Sequence, residues 1–231
     1  MKNYRFLSFI LLLSAVSSCN LNDNSTTPPY TQFAFVQVSP DAPNVDVYAD
    51  GNLLVSGFPY TSDTGYFSLS PGTLNIKVAA TGTTNYVLDT GFNLAPAAAY
   101  SIYTIDSFSH IKGVAVIDNF SVPPADSVRL RFFHFSPDVA AVDLGVTGIA
   151  TPLYSNRIFN DESANTSYQQ FITVPAGGYN LEVRNAGTSD VITSAPGAVF
   201  QGGKVYSIYL KGFAGGTGAQ ALGIGNVIQN E

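Results

Sequence analysis

The sequence has little charge, a single cysteine and no tryptophan. Charged residues make up 11% of its 231 residues, against roughly 25% in an ordinary soluble domain, which excludes coiled coils and charge-driven disorder over most of the chain. Ten Lys and Arg stand against 16 Asp and Glu, so the chain offers no basic surface to the phosphates of a nucleic acid. Nucleic-acid binding is therefore excluded, and one cysteine cannot make an internal disulfide.

The sequence also lacks the roughly 18 uninterrupted apolar residues of a transmembrane helix. Its N-terminal apolar run, residues 6–16, is shorter and follows Lys2 and Arg5, which is the pattern of a secretory signal peptide. Residues 16–19, Val-Ser-Ser-Cys, resemble the bacterial lipobox, at which a diacylglyceryl group is attached to the cysteine and the chain is cut before it. The alternative is an ordinary signal peptide followed by a stray cysteine.

A lipidated Cys19 defines the predicted location. Two or three acyl chains hold a protein on a membrane firmly, whereas one chain is marginal. We expect an exported protein anchored through Cys19, at the outer membrane on its surface or periplasmic face. Residues 19–32 are mostly polar, contain a Pro pair and have no periodicity, which predicts a disordered tether.

The remaining chain contains an internal repeat. Residues 35–51 and 132–148 are identical at seven of seventeen positions, and the offset between the copies grows from 97 to 105 further on. The second copy therefore carries eight extra residues, which fall within 149–170. We predict a signal peptide (1–18), a lipidated tether (19–32), repeat one (33–119), a Pro-containing linker (120–129), repeat two (130–226) and a tail (227–231).

Each repeat is predicted to be a β-sandwich with its own core. Gly, Pro, Phe and Tyr are abundant, with 21, 13, 16 and 13 residues, and the apolar residues alternate with a period of two rather than recurring at helical spacing. Asp50-Gly51 is a typical hairpin turn. The predicted fold class is all-β, with two tandem immunoglobulin-like β-sandwiches.

The pattern Ser-Pro-Asp-x-x-x-Val-Asp, followed by a Gly-bounded hairpin and a Tyr-Ser-Ile-Tyr strand, occurs in both repeats. It resembles the family catalogued as domain of unknown function 4397 over nearly all of residues 33–226. The resemblance implies an extracytoplasmic bacterial protein, commonly a lipoprotein of the Bacteroidetes type with tandem copies. The family has no established activity, so the resemblance implies a fold and a location but no function.

The Ser-Pro-Asp segments are predicted to be structural. Pro presets the backbone of a turn, and Ser and Asp side chains accept hydrogen bonds from nearby backbone N–H groups. The alternative is a calcium site built from Asp41, Asp46 and Asp50, although repeat two has Thr147 in place of Asp50. The predicted structural residues are Ser39, Pro40, Asp41, Asp46, Ser136, Pro137, Asp138, Asp143 and His134.

No arrangement of residues predicts catalysis, a cofactor or a metal. The chain has no Gly-x-Ser-x-Gly motif and too few carboxylates to nominate a glycosidase pair. His134 shares a strand face with Leu130 and Phe132, which favours a hydrogen-bonded structural histidine, and His110 lies in a loop. The glycine-rich segment 216–221 matches a relaxed dinucleotide-binding pattern, but too few residues follow it to complete that fold.

Three hypotheses for function follow. The first is a non-enzymatic cell-envelope lipoprotein whose sandwiches form an interaction, adhesion or spacer module with a protein ligand. The second is a polysaccharide-binding accessory protein, which requires exposed aromatic rings, although the absence of Trp weakens it. The third is an envelope hydrolase dependent on His134 or Asp138. The candidate binding residues are aromatics of turns and of the extra segment, namely Tyr60, Tyr66, Tyr154, Phe159 and Tyr168.

Replacing the cysteine tests the anchor. Cys19→Ser removes the only thiol, so we expect the variant to lose incorporation of labelled palmitate and to move from the membrane to the soluble fraction of a lysate. Ser18→Ala keeps a small residue before the cysteine and is expected to retain the label. Labelled Cys19→Ser protein would contradict the prediction.

Overall fold

The computed structural model describes residues 29–230. The predicted signal peptide, Cys19 and most of the predicted tether lie outside the described residues. Within 29–230, no helix is both long and apolar enough to cross a membrane. The strands are β1 (Thr31–Gln37), β2 (Val45–Ala49), β3 (Asn52–Phe58), β4 (Asp63–Leu69), β5 (Gly72–Ala80), β6 (Tyr86–Leu94), β7 (Ala99–Ile105), β8 (Lys112–Asp118), β9 (Ser127–His134), β10 (Val142–Val146), β11 (Tyr154–Arg157), β12 (Ile172–Pro175), β13 (Gly177–Asn185), β14 (Val191–Phe200), β15 (Val205–Lys211) and β16 (Gly223–Ile228).

The strands form four sheets with one topology used twice. Repeat one contains the sheets β4-β1-β7-β8 and β3-β2-β5-β6, and repeat two contains β12-β9-β15-β16 and β11-β10-β13-β14. In each repeat the first strand runs parallel to the seventh, as β1 does to β7 and β9 to β15. The all-β fold of two β-sandwiches predicted from the sequence is confirmed. We call the sheets that contain β1 and β9 the inner sheets and the other two the outer sheets.

Each sandwich has a core of inward-facing strand residues, as the period-two pattern predicts. In repeat one, Phe33 and Phe35 of β1 pack against Val45 and Val47 of β2 in one buried cluster, and Phe132 and Val142 lie in the equivalent cluster of repeat two. The β2–β3 hairpin turns at Asp50 and Gly51, which have φ of 49° and 80°. Positive φ at both positions is what a tight two-residue hairpin requires.

A third core joins the two repeats. Val36, on the other face of β1, and Val38, just after the strand, are fully buried in one cluster with Phe133 of β9 and the following Phe135. Both inner sheets are therefore covered on both faces, by their own outer sheet and by each other. The two repeats are therefore joined by more than the predicted Pro-containing linker, because this shared core packs them directly against each other.

Equivalent faces of the two repeats meet at this core. Val36 and Phe133 occupy the same position of their repeats, and the rings of Tyr103 and Tyr209, another equivalent pair, lie 6.3 Å apart. This is the arrangement of an isologous interface, in which one surface packs against its own copy about a two-fold axis. The tandem chain thus has the architecture of a dimer made within one polypeptide.

A buried ion pair crosses one end of the interface. The guanidinium of Arg131, which is 0% exposed, donates to the Ser207 hydroxyl at 2.7 Å, to the Ile117 carbonyl at 2.7 Å and to the Asp118 carboxylate. Its plane lies 4.6 Å from the ring centroid of Phe171. Each nitrogen of this desolvated cation therefore donates to an acceptor, which a buried charge needs.

Asp118 is satisfied by groups from both repeats. Its second carboxylate oxygen accepts from the hydroxyls of Tyr66 at 2.8 Å and Ser101 at 2.9 Å. The Gln229 amide nitrogen, facing the same centre, donates to Tyr66 at 2.9 Å and to Asp118. Burial, and then the Asp118 carboxylate, raise the pKa of Tyr66 above its ordinary value, so this hydroxyl remains a donor. We call these residues with Arg131 the junction network.

Strand register shows where repeat two ends. Ala99 pairs with Asp118 in repeat one, and Val205, which is equivalent to Ala99, accepts a hydrogen bond from the Gln229 N–H at 2.8 Å. Asp118 and Gln229 are therefore equivalent positions. Strand β16 runs to Ile228, so the predicted repeat end at residue 226 falls short, and residues 227–230 complete the inner sheet rather than forming a tail.

Removing the buried cation should destabilise the fold. Arg131→Ala leaves the Asp118 carboxylate buried without its counter-ion, and we expect the free energy of unfolding to fall by about 3–5 kcal/mol, measured by urea denaturation. The double variant Arg131→Met with Asp118→Leu removes both charges and is expected to recover most of the loss.

Lys77→Ala is the matched control. It breaks the Lys77–Asp89 ion pair, which is 2.8 Å long and partly exposed, and should cost much less stability, because solvent screens such a pair. A similarly small loss for Arg131→Ala would contradict the role given to the buried pair.

Candidate functional site

In both repeats the Ser-Pro-Asp segment forms hydrogen bonds to the loop that follows the seventh strand. Asp41 accepts a hydrogen bond from the Phe108 N–H at 2.7 Å, in the loop after β7, and Asp138 accepts one from the Ala214 N–H at 2.9 Å, in the loop after β15. The Ser136 hydroxyl donates to the Gly212 carbonyl at 2.6 Å. Equivalent carboxylates thus hold equivalent loops.

The second aspartate of the motif holds the start of the outer sheet. Asp46 accepts from the Ser56 hydroxyl at 2.6 Å, the Gly57 N–H at 3.0 Å and the Gly82 N–H at 3.2 Å. These bonds, with the Ser56 hydroxyl first, hold the pKa of Asp46 below its ordinary value. Asp143 is bound in the same way by backbone N–H groups of residues 156 and 187.

The alternative calcium site does not assemble. Asp41, Asp46 and Asp50 each accept hydrogen bonds from a different backbone segment, Asp50 from the Asn75 N–H at 2.8 Å, rather than converging on one point. Among residues 29–230, no three His, Cys, Asp or Glu side chains cluster as metal ligands would. The geometry is that of turns held by carboxylates.

The two histidines lie apart and in different surroundings. His134 is fully buried, and its Nε2 lies 3.1 Å from the Ala140 carbonyl, to which it donates. Burial lowers the pKa of His134, which keeps the ring neutral at pH 7. His110 is exposed, with its Nδ1 near the hydroxyls of Ser107 and Ser109. His134 therefore secures the β9–β10 connection, and His110 is bound to the serines of its own turn.

The five candidate aromatics do not form one exposed platform. Of the five, only Tyr168 is exposed, at 37%, and the other four are half-buried. The Tyr154 hydroxyl donates to the Leu130 carbonyl at 2.5 Å, and Phe159 packs against the third core. The expectation of a line of exposed rings at these positions must be corrected, because turn and insert aromatics here fold back onto the sheets. The half-buried residues are Tyr60, Tyr66, Tyr154 and Phe159.

The extra residues of repeat two extend across the interface and contact repeat one. Residues 158–171, called the insert, connect β11 to β12 and contain a short helix α1 (Asp161–Ala164) and a 3-10 turn (Thr166–Gln169), where repeat one has only residues 59–62. The Gln169 side chain accepts from the Ile117 N–H of repeat one at 3.4 Å. Lys112 of repeat one lies 5.4 Å from the ring centroid of Phe159. The insert therefore packs on repeat one.

An open groove lies between β4 of repeat one and the end of β16 of repeat two. It has a volume of about 540 Å³ and is continuous with a second depression of about 550 Å³, because Gln32 and Phe120 line both. We call the two together the junction groove. The Tyr66 and Phe120 rings meet edge to face there, with centroids 5.0 Å apart. Its other lining residues include Tyr30, Ala34, Asp63, Ser68, Asn119, Val122 and Gln229.

The groove is open because the repeats differ at one equivalent strand position and in the insert. Ala34 pairs across the strands with Tyr66, and Arg131, the residue equivalent to Ala34, lies by register opposite Phe171. On the repeat-two side the long Arg131 side chain and the insert fill the space, which leaves a depression of about 200 Å³. The small side chain of Ala34 leaves the repeat-one side open.

Sequence reasoning found only one residue of this groove, Tyr66. Gln32 lay in the predicted tether and Phe120 in the predicted linker, but strand β1 begins at Thr31 and Phe120 packs on Tyr66. The alignment of the repeats does contain a signal, since Ala34 and Arg131 are equivalent. An arginine that is present in one copy and replaced by alanine in the other indicates that the two sides of the interface differ.

A second aromatic pair lies on the outer sheet of repeat one. The rings of Tyr48 and Tyr86 meet edge to face at 5.5 Å, and Lys77 lies 5.1 Å from the Tyr86 centroid. Tyr86 is 44% exposed. Repeat two has Gly145 at the position of Tyr48, covered by the Arg184 guanidinium. This pair is therefore confined to repeat one, and an ammonium already occupies a position over one ring.

A buried carboxylic acid lies within the insert. Glu162 is fully buried, and neither carboxylate oxygen has a hydrogen-bond partner among the described residues. Its neighbour Asp161 is paired with the Arg157 guanidinium at 2.8 and 2.5 Å. Burial, with the Asp161 charge adding to it, raises the pKa of Glu162 to about 8. Glu162 is thus protonated at neutral pH in the folded chain.

The chain is similar to a protein family and to solved structures. The model of a family described as "Domain of unknown function (DUF4397)" matches residues 31–145, which include all of repeat one and the first two strands of repeat two, a shorter extent than the predicted 33–226. No curated protein matches the chain. A crystal structure of CBMbc (family CBM26) from Eubacterium rectale Amy13K, in complex with maltoheptaose, is 8% identical and aligns over 87% of this chain and 97% of its own. Its TM-score is 0.26, too low to carry an argument.

The buried Glu162 side chain should make the stability of the fold decrease as pH rises. The pKa of Glu162 is higher in the folded chain, about 8, than its ordinary 4.5, so stability should fall as pH rises between these values. Glu162→Gln carries no charge, and thermal and urea unfolding should show it more stable than wild type at pH 8, by up to about 3 kcal/mol, with little difference at pH 5.

Glu182→Gln is the control of opposite sign. A hydrogen bond from Arg184 holds the pKa of Glu182 below its ordinary value, so its charged form favours the folded state above that range. Removing this carboxylate should lower stability at pH 8. Equal stability of wild type and Glu162→Gln at pH 8 would contradict the buried-acid prediction.

Proposed function

We propose, for a chain whose residues 31–145 belong to the DUF4397 family, a non-enzymatic role as a lipid-anchored interaction module of the bacterial cell envelope. Its two repeats act as one rigid body that holds the junction groove at a fixed distance from the membrane. The anchor is the acylated Cys19, and the location is the outer membrane, with the repeats facing the medium.

The junction groove is the observation that carries the proposal. Binding sites in proteins are concave, largely preformed and built on a rigid scaffold. The groove meets these conditions, because Tyr66, Asp118 and Gln229 of the buried junction network line it, and strands of both repeats form its walls. A spacer alone would not need the asymmetry that opens one side of the interface and fills the other.

The arrangement of polar groups supports a role without catalysis. Asp41, Asp46, Asp138 and Asp143 are occupied by backbone N–H donors. His134 is buried, and its Nε2 is bound to a backbone carbonyl. A general base needs a lone pair within reach of a substrate proton, and these groups point into loops instead.

Polysaccharide binding is a second candidate, favoured by the lining of the groove. Aromatic rings lie beside an amide, a hydroxyl and a carboxylate at Gln32, Ser68 and Asp63, and no Lys or Arg is among the lining residues of the two described depressions. Rings and uncharged hydrogen-bonding groups are what a sugar chain needs for stacking and for its hydroxyls. Protein ligands remain the first candidate for the module as a whole.

Binding to intact cells tests the proposed role. The mature chain, residues 20–231, should be retained saturably by whole cells or by their extracellular matrix in a sedimentation assay. Retention lost after protease treatment of the cells would indicate a protein ligand, and retention that survives protease would indicate a polysaccharide. The absence of saturable retention on every preparation would contradict an interaction role.

Protease shaving of intact cells is the accompanying control for location. Repeats that face the medium should release peptides from residues 31–228 into the supernatant, while a periplasmic marker protein remains intact. Protection of the repeats until the outer membrane is broken would place them in the periplasm, and the binding partners would then have to be sought there.

A further inference from the structure

We propose that the junction groove is a binding site for a neutral polysaccharide chain, with Phe120, Tyr66 and Gln32 as its contact residues. This inference rests on the proposed interaction function and gives it a site and a ligand class. Four observations carry it: the opening of the groove, the fixed rings, the unpaired amide and the charge of the lining.

The opening is built into the fold rather than left by a loop. Ala34 is 1% exposed and pairs with Tyr66 in the inner sheet. An arginine in the equivalent position of repeat two spans the interface and reaches Asp118. The small residue at position 34, together with the short 59–62 connection of repeat one, leaves the space between β4 and the end of β16 open.

The aromatic rings of the groove are held in place. The Tyr66 hydroxyl is bound by the junction network, which fixes the ring, and the Phe120 ring packs against it at 85°. Tyr30, 61% exposed, extends the aromatic lining into the adjoining depression. Fixed rings lose little conformational entropy on binding, which favours stacking on the flat face of a sugar.

Gln32 offers an unused hydrogen-bonding group where the two depressions meet. Its backbone N–H is bound to the Ala98 carbonyl at 2.9 Å, while its half-buried side chain makes no hydrogen bond to any described residue. Asp63 at the side of the groove accepts only from the nearby Gly65 N–H, at 3.1 Å. Both side chains can therefore pair with ligand hydroxyls.

The charge of the lining selects a neutral ligand. The exposed carboxylate of Asp63 lines the first depression, whereas Asp118 in the second is already paired with Arg131. No Lys or Arg among the described lining residues could pair with a sulfated, phosphorylated or uronic-acid chain, and Asp63 would repel it. Peptide ligands are commonly anchored by large apolar side chains in apolar pockets. Here the rings alternate with amides, hydroxyls and carboxylates over a long groove, which suits a chain of hydroxyl-bearing rings better.

The test is affinity gel electrophoresis and calorimetry of the mature chain with soluble neutral polysaccharides, namely an α-glucan, a β-glucan, a mannan and a xylan. Alginate and an unfolded casein serve as acidic-glycan and peptide probes. We expect one neutral chain to bind, with affinity reduced about tenfold or more in Phe120→Ala and in Gln32→Ala. Tyr86→Ala removes an exposed ring on the outer sheet and is the matched control, expected to bind as wild type does.

Melting temperatures separate lost binding from lost folding. Gln32→Ala truncates a side chain with no internal partner and should melt as wild type does, so it remains informative if Phe120→Ala is destabilised. Ala34→Arg copies the repeat-two residue into the groove and, where it folds, should abolish binding.

The outcomes distinguish this inference from the function on which it rests. Binding unchanged in both groove variants would overturn the site, and binding lost in Tyr86→Ala alone would move it to the outer sheet. Binding of alginate or casein only would overturn the ligand class. If no polysaccharide binds but cells still retain the protein, the polysaccharide site is wrong and the interaction module stands; if cells do not retain it either, both fail.

Discussion

The burial of two equivalent sheet faces against each other is the constraint on which the rest of the structure depends. A sandwich of two four-stranded sheets normally buries one face of each sheet, but β1 and β9 carry apolar residues on both faces. Val36 and Phe133 would be exposed to water if either repeat stood alone. The interface therefore acts as a third core, and its apolar area supplies the same kind of driving force as the two others.

Two identical repeats packed through equivalent faces would form a symmetric interface. In this chain, polar residues that differ between the repeats make the interface asymmetric. Ser101 and Ser207 are identical at equivalent positions, whereas Asp118 faces Gln229 and Ala34 corresponds to Arg131. The interface therefore holds a buried ion pair, between Arg131 and Asp118, and the equivalent residues Ala34 and Gln229 carry no charge. The Arg131 side chain and the insert fill one side of the interface, and the small side chain of Ala34 leaves space on the other.

Much of the fold could be predicted from the sequence because its signals are local. The period-two pattern locates the strands, Asp50-Gly51 locates a hairpin, and the repeated Ser-Pro-Asp segment marks equivalent loops. The third core was harder to predict, although the apolar residues at both Phe35 and Val36 were a visible sign of a strand buried on both faces. The groove could not be predicted, since the direction of a turn aromatic such as Tyr154 depends on contacts between residues far apart in the sequence.

The position of β1 has a mechanical consequence. The strand begins two residues after the described chain starts, and it lies inside the inner sheet, between β4 and the parallel strand β7. A pull on the N-terminal segment is directed along β1, so it loads the hydrogen bonds to both neighbours in shear, all together rather than one after another. Gln32, at the groove, lies on this same strand. Tension between a bound ligand and the N-terminus would thus pass through a few residues of one clamped strand, and the other strands of both repeats would carry little of the load.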